Sequence, residues 1–344
     1  MPDRGCDRSN SFPASMISAS IPASLGDVFE SLDDELKPPV EMLLSDLVDD
    51  RIVGVVSLQH LCDEESVPFL IHALNDTSDD VVFTAVTALW EIASQAAVVP
   101  LIDCLYSSKS DRTRLEALNA LKELVNQDHL LLLLDKLTED DLELQISILI
   151  LLRKIHDVQA LPSVAPFLES SDENLRMEAV TTLRYLNQLT HFPPALKLAS
   201  DSSVNVRKEA MLTLAHLEEP DVLPILHSSL LTDDSWEVRR NAAQALERKS
   251  SPSSAESLGQ AIRDEHWQVR KFALKALQSH VSETVLPTLI PLLCDDYSCV
   301  RKEAALALGS IHSEESKSAL QQSLNDSDIE VRIASEKSLA RLQS

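Results

Sequence analysis

Apolar residues recur along most of the chain at a helical spacing, and the spacing itself recurs. Val206, Ala210 and Leu214 stand four residues apart, with Arg207, Lys208 and Glu209 between the first two. Such a stripe predicts an amphipathic helix, because four residues is close to one turn. The frame returns as Val238-Arg239-Arg240 with Ala242 and Leu246, and as Val269-Arg270-Lys271 with Ala273 and Leu277. It returns again as Val300-Arg301-Lys302 with Ala304 and Leu308. Weaker copies extend it both ways, giving frame starts at 50, 81, 113, 144, 175, 206, 238, 269, 300 and 331. Each step is 31 or 32 residues.

A repeat of this length holds two helices. Three residues before the frame stand Ser78, Ser110, Asp141, Asp172, Ser203, Ser235 and Asp328, which predict N-caps for the frame helix. Pro68, Pro100, Pro162, Pro193, Pro224 and Pro287 mark the start of the other helix, where a missing N–H costs nothing. One such hairpin cannot bury its apolar stripe alone, but a stack can. The prediction is an all-α solenoid of about ten hairpins over residues 27–344. Residues 1–26, with six serines, three prolines and no periodicity, read as a disordered tail. Only 5 glycines in 344 residues argue against phosphate loops, dinucleotide folds and hairpin-rich sheets.

A 31-residue hairpin carrying Asp-x5-Arg-x2-Ala-x3-Leu resembles the short HEAT-like repeat of the phycobilisome-lyase group. It is clearest at Asp201/Arg207, Asp233/Arg239, Asp264/Arg270, Asp295/Arg301 and Asp326/Arg332, and in Ala304–Ile311. The resemblance implies a right-handed solenoid whose second helices line a concave face. It also implies a ladder of hydrogen bonds between repeats through those Asp and Arg residues. Val82 and Gln145 interrupt the arginine column, so the ladder is expected to be weaker in the N-terminal half. The same repeat serves bilin lyases, assembly factors and plain scaffolds. A HEAT-like di-iron hydroxylase takes its ligands from His-Glu dipeptides; none of the ten histidines here precedes a glutamate.

The formal net charge is -25, from 30 basic and 55 acidic residues. That argues against nucleic acid, where affinity rests on neutralised phosphates. Residues 1–200 hold 14 basic and 33 acidic side chains, so most of the excess lies there. Five irregularly spaced cysteines read as free thiols in a reducing, cytoplasmic setting, and no run is long and apolar enough to span a membrane. No nucleophile elbow, zinc-ligand series or phosphate loop appears.

One column breaks the acidic trend. Frame position +2 reads Ile52, Phe83, Leu115, Ile146 and Met177, then Lys208, Arg240, Lys271 and Lys302, then Ile333. Four successive basic residues suggest a recognition strip, although charges paired with neighbouring acids would read the same way. Trp236 and Trp267 share position -2 beside Tyr297 and suggest a contact patch, or else packing against the next turn. The sequence therefore reads as a protein-binding scaffold or assembly factor with no active site or cofactor of its own. Its partner is another protein with an acidic surface. The alternative is a bilin lyase or lyase subunit, the strip pairing with an anionic tetrapyrrole.

Overall fold

The computed structural model describes residues 32–108, 110–279 and 285–343; the Ser/Pro-rich tail lies outside them. Among the described residues every regular element is helical, and no helix is long and apolar enough to cross a membrane. The chain forms two compact bodies, one ending at Ile155 and the other beginning at His156. The first holds the frame helices Val48–Leu61, Asp79–Ile92, Asp111–Leu124 and Leu142–Ile155. The second holds Glu173–Leu183, Val204–Leu214, Trp236–Lys249, Trp267–Leu277, Ser298–Leu308 and Ile329–Gln343. All ten frame starts fall inside these helices, and within each body successive frame helices pack on one another. The protein is an all-α solenoid.

The stripe makes this packing. Positions 0, +4 and +8 are buried in every repeat except at Asp50 and Leu339; Val206, Ala210 and Leu214 are fully enclosed. Each buried Val or Leu contributes roughly 1.5–3 kcal/mol. The residue at +4, small in every repeat except at Ile148, brings neighbouring helices close. At Gly54 an added Cβ would lie 2.8 Å from the Pro39 carbonyl oxygen, so the first repeat tolerates nothing larger there.

The first helix of the hairpin departs from expectation in three repeats. Leu161–Val164 and Leu286–Leu289 are single α-turns that continue as 3-10 helices over Ala165–Glu169 and Ile290–Cys294. Pro193–Ser200 is 3-10 throughout. Each has a second proline, at 166, 291 or 194. A proline inside the helix removes an N–H and crowds the carbonyl four residues back, which the tighter winding avoids.

The expected ladder exists, but its arginines reach the aspartate of the following repeat; Arg332, in the last repeat, donates instead to the Asp326 and Ser327 carbonyls. Arg207 donates Nε and Nη2 to the two carboxylate oxygens of Asp233 at 2.8 and 3.1 Å. Its Nη1 donates to the backbone carbonyl of Asp201 at 2.9 Å. The same rung joins Arg51 to Asp76, Arg176 to Asp201, Arg239 to Asp264, Arg270 to Asp295 and Arg301 to Asp326. These aspartates also take over much of the expected capping. Ser78, Ser203 and Ser235 accept no cap hydrogen bond through their side chains. Instead their own N–H groups donate to Asp76, Asp201 and Asp233, two residues earlier. Ser110, Asp141 and Asp172 do cap through their side chains. Arg176 beside Asp201, and Arg301 beside Asp326, hold those carboxyls below the usual carboxylate range.

The ladder weakens where Val82 and Gln145 stand. At Val82 the facing position is Ser108, whose hydroxyl still accepts from the Ser110 N–H but carries no charge. Gln145 donates only to the Glu139 carbonyl in its own repeat. Arg114 turns to Asp111 on its own helix.

Two outcomes follow in denaturant titrations. Arg270→Ala leaves Asp295, 7% exposed at its side chain, without its partner, and is expected to cost about 3–5 kcal/mol. Lys271→Ala, on the open face, is expected to cost about 0.5 kcal/mol or less. Installing the missing rung as Val82→Arg with Ser108→Asp is expected to show a favourable coupling of about 1–3 kcal/mol in a double-mutant cycle. Additive single effects would contradict the assignment of these two positions to one rung.

Candidate protein-binding face

The basic column lies where the frame predicts, on the face of the second helices opposite their buried stripe. Lys208, Arg240, Lys271 and Lys302 are all half-buried. Lys302 pairs with Glu330 of the next repeat at 2.9 Å. Among the described residues the other three have no carboxylate partner. Lys208 reaches the Asn205 amide oxygen at 3.4 Å. Arg240 donates to Asn241 Oδ1 and, at 3.3 Å, to Gln268 Oε1, with its guanidinium 5.5 Å from the Trp236 ring centroid. The Lys271 ammonium lies 5.6 Å from the Phe272 ring. Amide oxygens orient Lys208 and Arg240, and the Phe272 ring lies beside Lys271; none of these groups neutralises a cation, so the charge remains for a partner.

In the first body the apolar part of the column is uneven. Leu115 is 59% exposed, while Ile52 and Ile146 are half-buried. Phe83 carries the Arg112 guanidinium 3.6 Å above its ring.

Trp236 and Trp267 belong to one stack with an unexpected member. His266 lies against Trp236 with ring centroids 3.8 Å apart, and 6.2 Å from Trp267. Trp267 stacks on Tyr297 at 5.0 Å, and Tyr297 is 46% exposed. The sequence showed the two tryptophans and the tyrosine at a shared rim. It gave no signal that the N-cap histidine between them would complete the stack.

A second group of cations was not read from the sequence. Arg184, Arg248 and Lys275 line a cavity of about 530 Å3 together with His216, Gln244 and Glu247. Arg184 pairs with Glu209 at 3.3 Å and Lys275 with Glu247 at 3.1 Å. Lys275 and Arg184 stand at frame positions +6 and +9, one and two turns beyond +2 on the same helix face, so extending the column would have found them. Burial, with Arg248, Arg184 and Lys249 nearby, pushes the His216 imidazole down to about 4.

No group of three or more His, Cys, Asp or Glu side chains is arranged to hold a metal among the described residues. The Cys104 thiol is pushed up to about 11 by burial and the Asp79 charge, which keeps it protonated and unreactive.

His216 predicts a pH dependence. Its folded value lies below the ordinary 6.5, so the unfolded chain takes up the proton first and stability falls as pH drops from about 6.5 toward 4. His227, held by Ser254 at 2.9 Å, is pushed the same way by burial. The lowered Asp201 and Asp326 carboxyls add their loss only below about pH 4. Thermal melts of His216→Gln are expected to show a shallower decline between pH 6.5 and 4, with the steep loss below pH 4 retained. An unchanged profile would mean that His216 is not held neutral by the fold.

Three comparisons bear on the family. A solved engineered protein of the Northeast Structural Genomics Consortium is 20% identical, with 91% of this chain and 100% of that chain aligned at a TM-score of 0.50. A chain from the solved complex of Kap95p with RanGDP, described for nuclear import complex assembly, is 12% identical with a TM-score of 0.63. That alignment covers 90% of this chain and 50% of the other. At such identities both speak to fold alone. No curated protein matches the sequence. The family model for HEAT repeats matches residues 40–122, 161–247, 192–267 and 255–340. With more than half of the sequence matched and the hairpin stack in both bodies, the chain belongs to the HEAT repeat family.

Proposed function

We propose that the protein is a binding scaffold that holds an acidic surface of a partner protein against the open face of its second helices. The observation that carries this reading is the run Lys208, Arg240 and Lys271. These are three cations on successive repeats, none with a carboxylate partner among the described residues, in a chain of net charge -25. Unpaired charges of one sign on a fixed spacing raise the local concentration of the opposite sign. Arg184, Arg248 and Lys275 extend the same face by a turn or more, and the Trp236–Tyr297 stack borders it with amphipathic rings of the kind that dominate interface energetics. The four cysteines of the described residues are unpaired, which supports a reducing, cytoplasmic setting.

A second reading follows from the resemblance to the phycobilisome-lyase repeat. The cationic cavity beside His216 would take the propionates of an open-chain tetrapyrrole, whose attachment needs orientation more than a protein nucleophile. Co-expression with bilin synthesis separates the two readings. A coloured protein whose pigment is lost on Arg248→Glu favours the lyase, and a colourless one favours the scaffold.

The direct test reverses Lys208, Arg240, Lys271 and Lys302 to Glu and compares partner capture from host extract with the wild-type bait. The variant is expected to melt within a few degrees of wild type and to lose most of the captured partner. The wild type itself is expected to bind more weakly as salt shortens the Debye length below about 10 Å. A control reversing Lys122, Lys136, Lys197 and Lys317, off the column, is expected to retain capture. Equal retention by both variants would contradict the proposal.

A further inference from the structure

The interrupted rung at Val82 leaves a chemically defined opening. In the first body the same locus occurs twice, between the end of one first helix and the turn of the next repeat. Beside the intact Arg51–Asp76 rung it is a cavity of about 240 Å3, lined by Leu43, His72, Ala73 and Asn75–Thr77. One repeat later, at Val82 and Ser108, it widens to about 580 Å3. In the second body the corresponding space beside Asp326, whose rung to Arg301 is intact, is about 220 Å3. Replacing Arg by Val and Asp by Ser thus more than doubles the space.

The walls keep the chemistry of a guanidinium site. In each intact rung the arginine Nη1 sits between two successive backbone carbonyls of its own repeat. Arg51 uses Ser45 and Asp46, Arg176 uses Ser170 and Ser171, and Arg270 uses Asp264 and Glu265. The equivalent carbonyls at Val82 are those of Asp76 and Thr77, and neither accepts a hydrogen bond from a described residue. Asp79 lines the cavity with one carboxylate oxygen engaged by the Thr113 hydroxyl at 2.8 Å. Leu74 and Val82 give apolar walls, and Asn75, Thr77, Asp79 and Ser107 are exposed around the mouth. Residues 1–200, which carry it, hold 33 acidic side chains against 14 basic.

We propose that this opening between Val82 and Ser108 is a docking slot for an arginine side chain presented by a partner protein. The guanidinium donates to the Asp76 and Thr77 carbonyls and to Ser108 Oγ, with Asp79 supplying the opposite charge. It reproduces in trans the contacts that arginines 51, 176, 207, 239, 270 and 301 make in cis. Ammonium fits less well: a point charge cannot span two carbonyls and a hydroxyl in one plane as a fork of N–H groups does. The slot is independent of the basic face, and its test does not depend on that reading.

The test is a titration of the isotopically labelled full chain with N-acetyl-arginine amide, followed by backbone amide resonances. Saturable shifts are expected at residues 76–82 and at Ser107, Ser108 and Ser110, with N-acetyl-lysine amide binding several-fold more weakly. Ser108→Asp restores the missing carboxylate and is expected to tighten the arginine probe by about tenfold, the gain of one charge-assisted hydrogen bond. Val82→Arg fills the slot from within and is expected to abolish the shifts; if that variant does not fold, Ser108→Asp decides alone. Absence of saturable shifts, equal binding of the lysine probe, or no tightening by Ser108→Asp overturns the site. Free arginine binding more tightly than the blocked probe overturns the partner-borne source.

Discussion

A hairpin of 31 residues cannot enclose its own apolar stripe, and every other feature of this protein follows from that constraint. Within each body, each stripe of residues at frame positions 0, +4 and +8 packs against a neighbouring repeat's copy. Burial supplies the driving force but is indifferent to small slips along the helix axis. The Arg–Asp rung supplies the register. Its guanidinium ties two carbonyls of one repeat to the carboxylate of the next, which in turn holds the N–H that starts the next frame helix. Buried ion pairs contribute little net stability against an apolar substitute, but an unpaired member is costly, so a misaligned stack is penalised.

The same repetition turns a surface position into a ruler. Side chains at one frame position on adjacent helices are separated by the helix-packing distance, about 8–10 Å. That is close to the Debye length at physiological salt. Charges at this spacing overlap in potential without being forced into contact. The +2 column therefore carries a usable field at modest cost in self-repulsion, and amide oxygens from Asn205, Asn241 and Gln268 position its members. In the first body the rule works in reverse. A rung position without its arginine leaves carbonyls and space that other rungs fill.

The fold was legible because one four-residue stripe recurs ten times, and periodicity needs no tertiary information. The direction of the rungs was less so. Asp201 and Arg207 stand in one repeat, and nothing in their spacing shows that Arg207 passes over Asp201 to Asp233. The 3-10 segments had a local signal in Pro166, Pro194 and Pro291, but its effect depends on where the first proline already sits. The basic column was legible as a column; its free and paired members were not, since Glu330 reaches Lys302 only through the stacking of repeats. His266 joins the aromatic stack by cap geometry, and His216 loses its charge by burial between helices. Both depend on packing that composition does not encode.

The central claim is that the rungs, by fixing register, decide which buried repeats open together. Native-state hydrogen exchange of the intact chain measures this directly. The account predicts that the amides of Val204–Leu214, Trp236–Lys249, Trp267–Leu277 and Ser298–Leu308, joined by unbroken rungs, open together with one free energy. Asp79–Ile92 and Asp111–Leu124, between which the rung is absent, open separately and at lower free energy. Equal or greater protection of those two helices, or independent opening of the four rung-joined ones, would contradict it.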